Sequence, residues 1–144
     1  MSALENTESK EIYTESKEIY TESKEIYTEI PDRDTFLLYL KQNPGIMVFK
    51  FGAKWCRPCK FIENDLEILF TKTPKNVLCF DIDVDECFDV YSFLKSKKQV
   101  NGIPAVLCYI KGNTTFAPNF SHTGSDLKTL TLFFNKVNEL ANNI

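Results

Sequence analysis

No apolar run in the chain approaches the roughly 20 residues a bilayer-crossing helix needs, which excludes a helical membrane span and leaves no membrane contact expected. The opening residues, MSALENTESK, lack the basic and apolar segments of a secretory signal. The expected location is therefore cytoplasmic, in a reducing compartment. There is no excess of positive charge: the net charge is −3 and the lysines are scattered without forming a basic stripe, so nucleic acid is not an expected partner. Cysteine is limited to an odd count of 5, at positions 56, 59, 79, 87 and 108, against the paired framework of a small secreted protein. The two N-x-Ser/Thr sites, at Asn113 and Asn119, are expected to stay unmodified, because nothing in the sequence routes the chain to glycosylating enzymes.

What the chain does have is bulk. Of its 144 residues 43% are apolar, with 12 Phe and 6 Tyr, enough for one domain with a core plus a tail. Residues 7–27 are three copies of Thr-Glu-Ser-Lys-Glu-Ile-Tyr. The apolar pair in each copy is adjacent, which gives no coiled-coil seam. Glu11 with Glu15, and Glu18 with Glu22, would also repel along a helix. Residues 1–24 therefore read as a disordered, low-complexity tail, with a partner-binding or oligomerising segment as the alternative. The domain is expected over residues 25–144. Its first element is the last repeat copy, Lys24 to Ile30, a short strand that the upstream copies could replace by pairing in its stead.

Further along, Asp32 or Asp34 caps a helix carrying Phe36, Leu37 and Leu40. Ile46 to Phe51 suits a central strand, and one helix is expected from Cys56 until Pro74. Val77 to Ile82 reads as a strand, residues 86–97 as an amphipathic helix, and Ala105 to Ile110 as a strand. Lys111-Gly112-Asn113 then predicts a hairpin turn leading to a partner strand over Thr114 to Ala117, with Pro118 at an edge. Leu127 to Leu140 closes as a helix. This order predicts an α/β fold with a central mixed sheet of four to five strands and helices on both faces.

Chemistry concentrates at Trp55-Cys56-Arg57-Pro58-Cys59-Lys60. Two residues between cysteines at the first turn of a helix bring the sulfurs within bonding reach, and the helix start favours thiolate on the first. Cys56 would be the exposed nucleophile and Cys59 the buried resolver. Pro58 fits the first turn, where its missing N–H costs little. Arg57, Lys60 and Lys54 add positive potential. The same spacing also serves as half of a zinc site or as a structural pair. Zinc wants four ligands, however, and the remaining cysteines are isolated beside a single histidine, so no metal is expected.

Ala53 to Lys60 resembles the active-site motif of the thioredoxin family. The resemblance extends over Asp81 to Val90 and over Gly102-Ile103-Pro104-Ala105-Val106, and covers about residues 26 to 144. It implies a thioredoxin fold and a monomeric protein-disulfide reductase. Such a protein cycles a redox-active disulfide, Cys56–Cys59, binds no cofactor, acts on protein disulfides and is recycled by a thioredoxin reductase or similar reductant. It further implies that Pro104 is cis beside the cysteines, with Trp55, Gly102 and Ile103 contacting substrate. A glutathione-linked, glutaredoxin-like enzyme and an interaction module with incidental redox activity are the rival readings.

Three positions depart from the family pattern. Lys50 stands where the family has a buried Asp; it either snorkels to the surface or lies under the disulfide, where it would favour thiolates or serve as a base. Aligning Phe120-Ser121-His122 with the family's Phe-Ser-Gly puts His122 at the substrate groove, against a solvated loop histidine as the alternative. Asn64 replaces a kink-forming Pro, which predicts a straighter helix. Cys87 coincides with an accessory cysteine of animal thioredoxins but reads as an ordinary helical thiol. Cys79 and Cys108 read as small core residues.

Overall fold

A computed structural model describes residues 23–144. The repeat tail expected over residues 1–24 lies outside the described residues except for Ser23 and Lys24. Lys24 already belongs to the fold: its Nζ donates to the carbonyls of Pro74 and Val77 at 2.8 and 2.7 Å. Partial burial lowers the pKa of this ammonium from its ordinary value.

Ten elements follow: β1 (Ile26–Tyr27), α1 (Arg33–Lys41), β2 (Ile46–Gly52), α2 (Arg57–Phe61), α3 (Glu63–Thr71), β3 (Val77–Asp83), α4 (Phe88–Ser96), β4 (Ala105–Ile110), β5 (Phe120–Thr123) and α5 (Leu127–Asn142). The strands form one five-stranded sheet in the order β1-β3-β2-β4-β5. β1 and β2 run parallel to β3, whereas β4 is antiparallel to β2 and β5 antiparallel to β4. The mixed sheet with helices on both faces is the one the element order predicts.

Period-two alternation divides the core. Met47, Phe49 and Phe51 of β2 join Phe36 and Leu40 of α1 and Val90 and Leu94 of α4 on one face. Ile46 and Val48 join Leu66 and Phe70 of α3 and Phe134 and Val137 of α5 on the other. Phe36, Phe49 and Tyr109 meet edge-to-face at 5.1 to 5.7 Å, each pair worth about 1 kcal/mol beyond its buried area. Asp32 caps α1 by accepting from Thr35 N at 2.8 Å. Arg33 then reaches Asp89 at 2.7 Å, tying α1 to α4.

Ile30 is 1% exposed, and the position it fills is Ser in each full repeat copy. Burying that side chain is worth about 2 kcal/mol, which favours the last copy as the one that supplies β1.

Two expectations are corrected. The helix from Cys56 breaks at Ile62, which leaves helical geometry at φ −102° and ψ 4°, although no proline stands at the break. The replacement of Pro by Asn64 therefore does not straighten it. The physical reason is that the two halves serve different cores: Cys59 faces the α1/α4 side, whereas Ile62, Leu66 and Phe70 face α5. The second correction concerns Thr114 to Ala117, which forms no strand. Asn113 Oδ1 accepts from Thr115 N at 3.0 Å, and Asn113 Nδ2 donates to Ala117 O at 2.9 Å. Asn119 Oδ1 accepts from Ile110 N at 2.8 Å. These side chains satisfy the backbone locally, so the chain loops through Pro118 and β5 begins only at Phe120.

Candidate active site

β2 and α2 are joined by a short bend in which Cys56 N–H donates to Ala53 O at 3.1 Å. Cys56 is the N-cap of α2, and its Sγ accepts from Cys59 N at 3.2 Å. Cys56 and Cys59 form a disulfide with their Cα atoms 5.3 Å apart. Pro58 falls within the first turn, where no intrahelical donor is needed.

The expected contrast between an exposed nucleophile and a buried resolver is small, because Cys56 is 5% and Cys59 3% exposed. The covering comes from the chain ahead of β4. The Ile103–Pro104 peptide is cis, and the carbonyl oxygen of Ile103 lies 3.9 Å from Cys56 Sγ. Gly102 and Ile103 are half-buried and Pro104 buried.

Trp55 is 69% exposed and therefore no core residue. It stands over the loop after β3, where its indole N–H donates to Asp85. Arg57 and Lys60 are exposed on α2, and Lys54 pairs with Glu86 at 3.5 Å.

Lys50 does not snorkel out. It is 8% exposed, with its Nζ 3.0 Å from Asp81 Oδ1. The parallel register sets Lys50 directly beside Asp81, so both side chains leave the same face of the sheet. Gly52 completes this corner. A Cβ there would lie 2.9 Å from Lys50 Nζ and 3.3 Å from Cys59 Sγ, so only a residue without a side chain lets the ammonium and the sulfur approach. Lys50, Gly52, Cys59 and Asp81 line one cavity of about 280 Å³.

His122 is not at the groove. It pairs with Val106 across β4 and β5, shares a 2.7 Å hydrogen bond with Thr129 Oγ1 of α5, and packs against Phe133. Burial lowers its pKa from the ordinary value. The glycine beside the cis proline is Gly124, at φ 106°, whose N–H donates to Pro104 O at 2.8 Å. The displacement follows from the longer loop before β5, which moves the glycine two residues past His122.

The other cysteines lie in the core. Burial raises the pKa of Cys79, and pushes that of Cys108 up to about 12. Cys87 Sγ lies 3.8 Å from Thr28 O. Among the described residues, no group of three or more His, Cys, Asp or Glu is placed to share a metal ion, and no helix is long and apolar enough to cross a membrane.

Asp81, Gly52, Gly124 and Asp85 join the site only through the fold. The acidic run Asp81, Asp83, Asp85 and Glu86 at the end of a strand was the available signal for two of them.

The chain is similar to known proteins. Human thioredoxin is 36% identical over 67 residues, which is 46% of this chain and 59% of the human protein. The thioredoxin of Echinococcus granulosus is 33% identical over 67 residues, covering 46% of this chain and 58% of its own length. The matched stretch thus spans less than two thirds of these curated relatives. The structure of Trichomonas vaginalis thioredoxin superposes with a TM-score of 0.64 at 22% identity, over 78% of this chain and 96% of that one, which shows the fold. The family model described as Thioredoxin matches residues 28–139, a span that opens just after β1 and closes within α5. With the cysteine pair at the start of α2, the cis proline ahead of β4 and that match across most of its length, the chain belongs to the thioredoxin family.

Proposed function

We propose that the protein is a thiol–disulfide oxidoreductase that reduces disulfides in other proteins through a Cys56–Cys59 dithiol/disulfide cycle. The observation that carries this reading is the Cys56 sulfur, held by the Cys59 N–H at 3.2 Å and lying 3.9 Å from the carbonyl ahead of cis Pro104. In the reduced protein, Cys56 thiolate attacks one sulfur of a substrate disulfide. The substrate S–S bond breaks, one substrate sulfur leaves and takes a proton, and a mixed disulfide joins Cys56 to the other. Cys59 then attacks Cys56, releases the second substrate thiol and closes the protein's own disulfide. Two electrons pass to the substrate in the cycle.

Trp55, Gly102, Ile103 and Pro104 form the contact surface in this reading. Trp55 offers exposed apolar area, and the half-buried segment Gly102-Ile103 ahead of Pro104 leaves room for an extended segment of substrate. Arg57, Pro58 and Lys60 support the thiolate of Cys56 by charge and by helix geometry. No cofactor takes part beyond the disulfide. A thioredoxin reductase or similar reductant restores the dithiol, and the protein works as a monomer in the cytoplasm. Three free, buried cysteines are consistent with a reducing compartment.

Insulin reduction, run in parallel with NADPH and thioredoxin reductase and with glutathione, tests the reading. Turnover driven by the reductase and lost in Cys56→Ser is the expected result. Turnover with glutathione alone would make the protein glutaredoxin-like. No turnover in either arm, with biological activity retained after both cysteines become Ser, would leave an interaction module.

A further inference from the structure

A buried ammonium beside a sulfur that must shed a proton needs a chemical account. Lys50 is 8% exposed, and its Nζ lies 3.0 Å from Asp81 Oδ1. That Nζ and Cys59 Sγ flank one point above Gly52, at 2.9 and 3.3 Å, and the sum of those distances is the most that can separate them. The shared cavity, about 280 Å³, has room for several water molecules. The other charged groups around it are otherwise engaged or turned outward. Lys54 pairs with Glu86, and Asp83 Oδ1 accepts from the N–H groups of Asp85 and Glu86. Lys60 and Glu63 are exposed on α2 and α3.

We infer that Lys50 and Asp81 are the proton-transfer unit of the resolving step, a deepening that rests on the reductase reading. Cys59 Sγ–H gives its proton, through cavity water, to the Asp81 carboxylate. The Lys50 ammonium then exchanges its carboxylate partner for the new thiolate, so the buried positive charge is never left alone. The thiolate attacks Cys56 Sγ. The Cys56–substrate bond breaks, the Cys56–Cys59 bond forms, and the departing substrate sulfur takes its proton from water. The Asp81 side chain, 43% exposed, returns the borrowed proton to solvent. Lys50 thus works on the sulfur directly and Asp81 both positions Lys50 and accepts the proton.

The test separates the two thiol steps. The reduced protein is mixed with a chromogenic aryl disulfide in a stopped-flow instrument, between about pH 5 and 9. The first burst of aryl thiol reports attack by Cys56, and the second reports resolution by Cys59. Lys50→Met is expected to raise the pH midpoint of the second phase by about one unit, a tenfold loss of thiolate below it, and to leave the first phase unchanged. Asp81→Asn is expected to slow the second phase, with recovery on adding a small carboxylate buffer. Lys50→Arg is expected to keep the wild-type midpoint. A second phase in Lys50→Met with the wild-type midpoint would overturn the inference, as would an Asp81→Asn rate equal to wild type. If Lys50→Met fails to fold, Asp81→Asn and Lys50→Gln decide by the same readout. Wild-type protein that shows both phases yet leaves insulin intact would count against the reductase reading alone.

Discussion

Trp55 is held to Asp85 by a hydrogen bond of 2.9 Å from the indole Nε1 to Oδ2, across the gap between the active-site turn and the loop after β3. The contact fixes an otherwise exposed ring beside the cysteines. Trp55 is the single tryptophan of the chain, so its emission reports on this one spot.

Asp85→Ala is expected to free the ring and to lower insulin-reducing activity by about twofold to tenfold, the net worth of one hydrogen bond. Attack on a small aryl disulfide should change little, because that substrate needs no broad contact surface. Tryptophan emission and the two activities, measured together, check both halves. Equal losses on the large and small substrates would mean that Asp85 acts on the cysteines and not through Trp55.

Gly52→Ala adds a methyl group where Lys50 Nζ and Cys59 Sγ converge. The methyl group displaces the buried Lys50 ammonium from its place beside Asp81 and crowds the disulfide, so a loss of about 1 to 3 kcal/mol is expected in urea unfolding of the oxidised protein. Substitution at Gly102, where the nearest atom to an added Cβ is 3.8 Å away, should cost far less and serves as the control.

Cys59→Ser is expected to stall the cycle at the mixed disulfide, giving a covalent adduct through Cys56 that survives until a thiol is added. Cys56→Ser should give none. Non-reducing mass spectrometry after exposure to a disulfide-bonded substrate reads this directly. Adducts of equal yield in both variants would remove the division of labour between the two sulfurs.

His122 titrates below its ordinary value of 6.5 because it is partly buried, with Asp126 opposing the shift and Thr129 and Phe133 as its other neighbours. The unfolded chain therefore binds the proton first as pH falls. Stability is full above about pH 6.5 and declines as pH drops from there through the lower folded value. The lowered carboxyl groups Asp32 and Asp89 titrate below 3.8, outside that window. Melting temperatures of wild type and His122→Gln, compared from about pH 7 to 5, should converge toward the acid end. Parallel curves would show that His122 does not carry the effect.

The cysteine pair and Pro104 were legible in the sequence because each is a local signal: two residues of spacing, one proline after Gly-Ile, and strong apolar strands on either side. Lys50 was legible as an anomaly but its partner was not, since Asp81 is 31 residues away and only the parallel register of β2 and β3 brings them together. Lys111-Gly112-Asn113 has the composition of a tight turn and so points to a strand directly after it, ahead of the actual β5. Asn113 and Asn119 instead spend their side chains on the loop backbone and defer the strand. The same shift sets His122 opposite Val106 and brings Gly124 beside Pro104. The break at Ile62 has no residue signature; it follows from two cores pulling on one helix.

Cys79 and Cys108, held protonated by burial, have a consequence for stoichiometry. Of the five cysteine sulfurs in the chain, these two, both 0% exposed, are withheld from reagents that require an accessible thiolate. Each folded molecule is then a vessel of fixed capacity, holding one electron pair and no more. Titration of the reduced, folded protein with a water-soluble alkylating agent should leave Cys79 and Cys108 unlabelled, with all five cysteines reacting only in denaturant.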